Sequence, residues 1–499
     1  MKTRFGVVVI GSIALLAMLS LAMFRSDKKD ATTPGMTLRI HCAAGISVPM
    51  QEIMEQYANE YGVQFETNFQ GSGQLLTSLR LDKEEGDLYL AADVSYMDEA
   101  KKLSLIDEVA PIAWQSPCIA VRKGVSVSSL EDLLADDIKI SLADPKVAAI
   151  SRVAKKMLEN AKTSDRWAAL FQKATVTRST VNEVANDIKS GAVQAGIVWD
   201  ATAAQYDELE IVRVPEFPPA QKQISLAVLR STSDPTQTLH FLRYVTSRDR
   251  GLPVFAKHGY QTVKGDAWSE HPELTLFTGG LMHPAIQETI DNFEEREGVS
   301  VSQVPNGCGV LVASIRSGQH PDAYFACDTS FMDMVSDLFP QPQDVSGTEM
   351  VLITKRGGNY ESLTNVDELA NSNLRLGLCN PEHSALGDLS KRLLEARGQW
   401  QPIIDKELVV DWPSTADRLV ESVVLGAMDA AIVYRANTTR QADKLNVNSI
   451  DDPAAHAIQP IAVGVDSNYP LLMARFVDAI RSADSRTRFE DLGFEWLGN

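Results

Sequence analysis

Among the residues able to do chemistry, Gly71-Ser72-Gly73 is placed most informatively. The tripeptide follows a stretch that reads as a strand and precedes one with helical spacing. The first N–H groups of that helix should therefore lie unpaired at its mouth. Glycine permits positive φ and close approach of the backbone to a ligand. The Ser72 hydroxyl adds a donor and the helix dipole favours negative charge, so the predicted chemistry is oxyanion binding. Catalytic groupings are not visible: there are eight histidines, but no GxSxG elbow, no HExxH and no Walker-type phosphate loop. The chain is expected not to be an enzyme. Its five cysteines, Cys42, Cys118, Cys308, Cys327 and Cys379, show no CxxC spacing and read mostly as small buried residues; a disulfide from Cys327 to another second-half cysteine stays open. Asp87, Asp93, Asp98 and Asp322, Asp328, Asp333 invite an acid–base or metal reading. Aspartates beside strand ends more often cap helices or hold turns, and a structural role is expected for them. Met97 and Met332 read as core.

These groups have to be positioned by a scaffold, and the chain repeats one. Segment 38–80 falls on 274–316 without a gap, with ten identities that include Gln51/Gln287, Gly62/Gly298, Gly71/Gly307 and Gly73/Gly309. Segment 87–98 falls on 322–333 with seven of twelve residues identical. Further collinear matches, up to "GIVWDA" at 196–201 against "AIVYRA" at 431–436, make the second half a duplicated module. At 499 residues the chain exceeds the roughly 250–300 that one core supports, which agrees with separate domains. Within a copy, strands (38–44, 63–69, 88–91, 138–142, 195–199) alternate with helices (49–61, 71–80, 129–134, 147–160). That alternation predicts mostly parallel sheets flanked by helices, with ligands beyond the carboxyl ends of the strands. The net charge of −19 argues against a nucleic-acid partner. A small anion remains compatible, because neutral N–H and O–H groups can bind it.

The loops resemble those of the molybdate- and tungstate-binding proteins of ABC importers, which have the type II periplasmic solute-binding fold. The resemblance rests on "IHCAAG", "NFQGSGQLLTSL", "GDLYLAADVSYMDEA", "SLADPKV" and "AGIVWDA" in copy one. In copy two it rests on "LFTGGL", "VPNGCGVLVASI", "PDAYFACDTSFMD", "CNPEHSALG" and "AAIVYRA". It implies two tandem modules, each of two α/β lobes, spanning 37–264 and 273–499. It places the anion-binding positions of copy one at Gly45, Ser72, Ile150, Val181 and Trp199. Gly45 stands where the family has a serine, with Ser47 as a substitute hydroxyl two residues on. Trp199 replaces a tyrosine and can donate but not accept. In copy two the corresponding positions are Leu281, Cys308, Leu386, Ala416 and Tyr434, so both hydroxyl donors of the first two loops are gone. Cys308 with His283, His383 and either Met282 or Tyr434 would make a soft-metal site, since thiolate and imidazole suit copper or zinc. Against that set, Pro381-Glu382-His383 is ordinary for the family and a buried cysteine is a common small residue. No metal or cofactor is therefore expected.

The resemblance implies capture of an oxyanion between lobes for an ABC permease, by hinge closure about crossing strands near 116–120 and 225–229. A membrane-tethered sensor without an importer is the other reading, which the duplication favours slightly. Residues 1–30 read as an N-terminal membrane anchor or signal segment: Lys2 and Arg4 precede an apolar run over 5–24, about the length that spans a bilayer. The expected location is periplasmic or otherwise extracytoplasmic, tethered to the inner membrane.

Overall fold

The structure, a computed structural model, describes residues 36–81, 86–161, 164–219 and 222–498. The proposed anchor at 1–30 lies outside the described residues. Among the described residues no helix is long and apolar enough to cross a membrane.

Each half begins with a parallel pair whose first strand is buried. Strand Thr37–Ala43 runs parallel to Gln64–Gln70 and to Leu88–Ala91. It is buried on both faces from Ile40 onward, as a strand covered by helices on either side must be. Helix Ser47–Tyr61 connects the first pair; Met50, Ile53, Met54 and Tyr57 fall on one stripe and are all buried. Gly62 ends it in the left-handed conformation (φ 72°), with its N–H on Ala58 O. The second copy repeats this closely. Helix His283–Glu297 joins Glu273–Gly279 to Ser300–Asn306 and ends at Gly298, φ 65°, with its N–H on Glu294 O.

In copy one the first lobe is a six-stranded sheet in the order Gln64–Gln70, Thr37–Ala43, Leu88–Ala91, Lys222–Leu229, Ile106–Gln115, Gln261–Thr262. The second is five-stranded: Val176–Arg178, Ile140–Ala143, Ala195–Trp199, Pro117–Arg122, Leu209–Val212. The chain first crosses between lobes at Ser116, as the sequence suggests. The return crossing lies elsewhere than expected. Residues 225–229 belong to strand Lys222–Leu229, which pairs only within the first lobe, so the crossing falls between Val212 and Lys222. A hydrophobic strand looks the same in sequence whether it bridges lobes or completes one. The expected helix 129–134 is a single 3-10 turn, Asp132–Leu134.

Copy two joins its lobes differently. One 13-residue strand, Gln343–Lys355, pairs with His456–Val463 of the first lobe and then with Ala430–Tyr434 and Leu445–Ser449 of the second. The two sheets thus become continuous. Where copy one breaks, the Asp200 carboxylate accepts the Ser116 N–H (3.0 Å) and pairs with Arg213. Where copy two runs through, Arg435 pairs with Glu349 instead.

The modules meet through their first lobes. Glu297 of copy two is buried between Arg243 of copy one and Arg475 of copy two. The connecting residue Asp266 accepts the N–H groups of Leu471 (2.7 Å) and Leu472 (2.9 Å) at the start of helix Pro470–Ile480.

Candidate functional site

The loops at the carboxyl ends of the copy-one strands converge on a cavity of about 20 Å3, little more than the roughly 10–15 Å3 that admits a single water. Gly45, Ser72, Ile150, Val181 and Trp199 all line it, each delivered by a different element. Gly45 lies in the turn after strand Thr37–Ala43. Ser72, Ile150 and Val181 sit in the first turns of helices Ser72–Leu81, Ala149–Asn160 and Val181–Ser190, and Trp199 ends strand Ala195–Trp199. Every lining residue is uncharged. Helix Ala149–Asn160 carries no side-chain cap, so its first N–H groups are left for whatever occupies the cavity. The Ser72 hydroxyl accepts the Ala92 N–H (3.1 Å), which leaves its own hydrogen to donate inward.

Two polar residues missed in the sequence, Gln70 and Thr180, also line the cavity, together with several alanines. Thr180 caps helix Val181–Ser190 and shares a capping box with Glu183, a T-x-x-E pattern that sequence alone displays. Ser47 does not replace the absent first-loop hydroxyl; it opens helix Ser47–Tyr61 and is not part of the cavity wall.

The glycines act differently from expectation. Neither Gly71 nor Gly73 has positive φ, and the Gly73 N–H is not free: it donates to Val147 O of the opposite lobe at 3.1 Å. A Cβ on Gly71 would run into that same carbonyl, and one on Gly73 would stand 3.0 Å from Lys146 O. The glycines are small so that the second lobe can seat its backbone on them. Asn182 Nδ2 reaches Ala44 O (3.0 Å), and Arg152 stacks 4.5 Å over the Tyr96 ring while pairing with Glu99. The cleft is therefore closed.

Copy two repeats the closure. The Gly309 N–H donates to His383 O at 3.1 Å, and a Cβ on Gly307 would collide with the same carbonyl. Its cavity, again about 20 Å3, is lined by Leu281, Leu386, Ala416 and Tyr434 as expected, but by Cys327 rather than Cys308. Cys308 lies behind the wall, where its Sγ accepts the Cys327 N–H (3.1 Å) as Ser72 accepts that of Ala92. The Tyr434 hydroxyl is buried with no hydrogen-bond partner among the described residues, and burial pushes its pKa up. Asp417 now borders the cavity where copy one has Asn182.

The set Cys308, His283 and His383 does not assemble: both histidines are exposed while Cys308 is fully buried. Among the described residues no three His, Cys, Asp or Glu side chains are placed to hold a metal. All five cysteines are free and buried, so the disulfide from Cys327 is not formed. Four of the six aspartates hold backbone N–H groups. Asp87 accepts Arg39 N–H (2.8 Å) and Asp322 accepts Thr275 N–H (2.9 Å), while Asp93 and Asp328 accept the N–H groups of Ser95 (3.1 Å) and Ser330 (3.0 Å). Met97 and Met332 are core.

Known proteins agree with this architecture. A family model described as bacterial extracellular solute-binding protein matches residues 38–261 and again 274–495. The molybdate-binding protein ModA of Escherichia coli is 23% identical over 242 residues, covering 46% of this chain and 92% of that protein. ModA of Mycobacterium tuberculosis is 26% identical over 227 residues, covering 44% and 84%. Among solved structures, the Azotobacter vinelandii periplasmic molybdate-binding protein is 14% identical with a TM-score of 0.38, covering 45% of this chain and 98% of that one. The sulfate-binding protein SubI of Mycobacterium tuberculosis is 16% identical with a TM-score of 0.39, covering 46% and 88%. With the family model matched twice along its length, the chain belongs to the bacterial extracellular solute-binding proteins and carries their module in two tandem copies.

Proposed function

We propose that this protein captures a small tetrahedral oxyanion, of the molybdate or tungstate kind, in its first module (37–264) and presents it to an ABC permease. It acts by binding, not by catalysis. The observation that carries this reading is the copy-one cavity, which is uncharged, lined by helix-start N–H groups and the Ser72 hydroxyl, and closed to about 20 Å3. Such a site stabilises a compact anion by oriented dipoles and leaves no room for a large organic group. Ligand favours the closed state because only that state brings donors from both lobes to it. The second module (273–499) keeps the scaffold but has Cys308 in place of the Ser72 hydroxyl and the carboxylate of Asp417 beside its cavity, so it is not the oxyanion site. Residues 1–30 would tether the protein to the inner membrane, facing the periplasm. The relatives named as molybdate-binding support the choice of anion. Calorimetric titration of the purified full chain with molybdate, tungstate and sulfate tests it. One site per chain is expected for at least one of them; no heat and no thermal shift with any of the three would overturn the reading.

A further inference from the structure

The second cleft keeps the backbone of an anion site but fills its rear with sulfur. Cys308 stands where copy one has Ser72, Cys327 where it has Ala92, and Met282 where it has Ile46. All three are buried and converge on one point of the chain, Gly279, at the end of strand Glu273–Gly279. A Cβ added to Gly279 would collide with Cys327 Sγ and stand 2.9 Å from Met282 Cε and 3.2 Å from Cys308 Sγ. Cys327 also forms part of the cavity wall, so the cluster opens onto the cleft between the lobes.

We propose that Cys308, Cys327 and Met282 form a binding site for a soft monovalent cation, Cu(I), held by two thiolates and a thioether. Soft sulfur ligands select Cu(I) over harder ions. On binding, each thiol releases its proton to solvent and the metal stays in the +1 state, so two thiolates and one cation leave a unit with net charge −1. That charge sits at the start of helix Cys308–Arg316, whose first turn has no side-chain cap and whose dipole favours an anion. The backbone that receives an oxyanion in copy one would here receive the metal–thiolate unit. Zinc fits poorly, because it needs four tetrahedral ligands and both nearby histidines face solvent. This site is independent of the first cleft and of its ligand.

The test uses the full chain, reduced and kept under nitrogen, in competition with bicinchoninate for Cu(I). One Cu(I) per chain is expected, with ultraviolet thiolate-to-copper absorption. C308S and C327A each install the residue of copy one and should fold; circular dichroism checks this. Loss of a first ligand should weaken binding by at least the roughly 10–100-fold typical of losing an outer partner, and M282L should weaken it less. Ser72→Ala should leave it unchanged. Failure of the wild type to take Cu(I) from bicinchoninate, copper binding that survives in both folded cysteine variants, or Zn(II) held as tightly as Cu(I) would each overturn the proposal.

Discussion

The Ser72 hydroxyl accepts the Ala92 N–H, so its own hydrogen is available to a further acceptor. If the first module holds an oxyanion as proposed, Ser72→Ala removes a donor to it, a bond that contributes about 1.5–3 kcal/mol when one partner is charged. Oxyanion binding measured by calorimetry should weaken about 10- to 100-fold; an unchanged affinity would place Ser72 outside the site. His240, far from either cleft, gives a prediction about pH. Burial, with the charges of Arg243 and His271, lowers its pKa to about 4, and its Nδ1 lies 2.6 Å from the Tyr57 hydroxyl. The folded value is below the unfolded one near 6.5, so the unfolded chain binds the proton more readily. The stability that neutral His240 confers is full above about pH 6.5 and is lost as pH falls toward 4. Its partial exposure limits the effect to about 1–2 kcal/mol. In urea melts, wild type should lose that much more stability than His240→Gln between pH 7 and pH 4; parallel pH curves would show that His240 titrates normally.

At the scale of elements, closure depends on glycine for want of a side chain. The Val147 carbonyl occupies the space a Gly71 Cβ would need, so Gly71→Ala should hold the lobes apart without disturbing either one. The ligand-free melting temperature should stay near wild type, while affinity falls about tenfold or more because the closed, binding-competent state is depopulated. Small-angle scattering should show no contraction at ligand levels that close the wild type; equal contraction would refute the steric argument. Sequence revealed the Gly-Ser-Gly motif but not this contact, because Val147 lies 76 residues away and nothing local encodes it. What could be read in advance was local or repeated: the strand and helix order, and the end of the helix 49–61 at Gly62, repeated at Gly298. All five copy-one positions transferred by resemblance fall on one cavity. What could not be read depended on pairing between distant strands. The return crossing lies upstream of 225–229, and Cys327 rather than Cys308 faces the second cavity.

The two modules are welded by residues that the internal repeat hides. Glu297 and Arg475 of copy two correspond in position to Tyr61 and His240 of copy one, whose rings pack with centroids 5.0 Å apart. One pair of equivalent sites thus became an aromatic cluster and the other an ionic one. Glu297, 2% exposed, accepts Arg475 Nε (2.6 Å) and Nη2 (3.0 Å) and Arg243 Nη1 (3.1 Å) from the other module. Burial raises its pKa, but the two guanidiniums outweigh that and the net value is lowered. A lowered carboxylate contributes stability above its ordinary pKa of 4.5 and loses it as pH drops below. Glu297→Gln leaves two buried guanidiniums without a counter-charge, a change that costs about 3–5 kcal/mol when a buried pair is broken. Because Glu297 lines neither cleft cavity, that loss should fall on the junction and not on ligand affinity. Scanning calorimetry should show one cooperative transition for the wild type at pH 7 and two for Glu297→Gln, with oxyanion binding to the first module retained. A single transition at an unchanged midpoint would mean that the junction is held instead by Arg296 on Glu108 and by Asp266 on helix Pro470–Ile480.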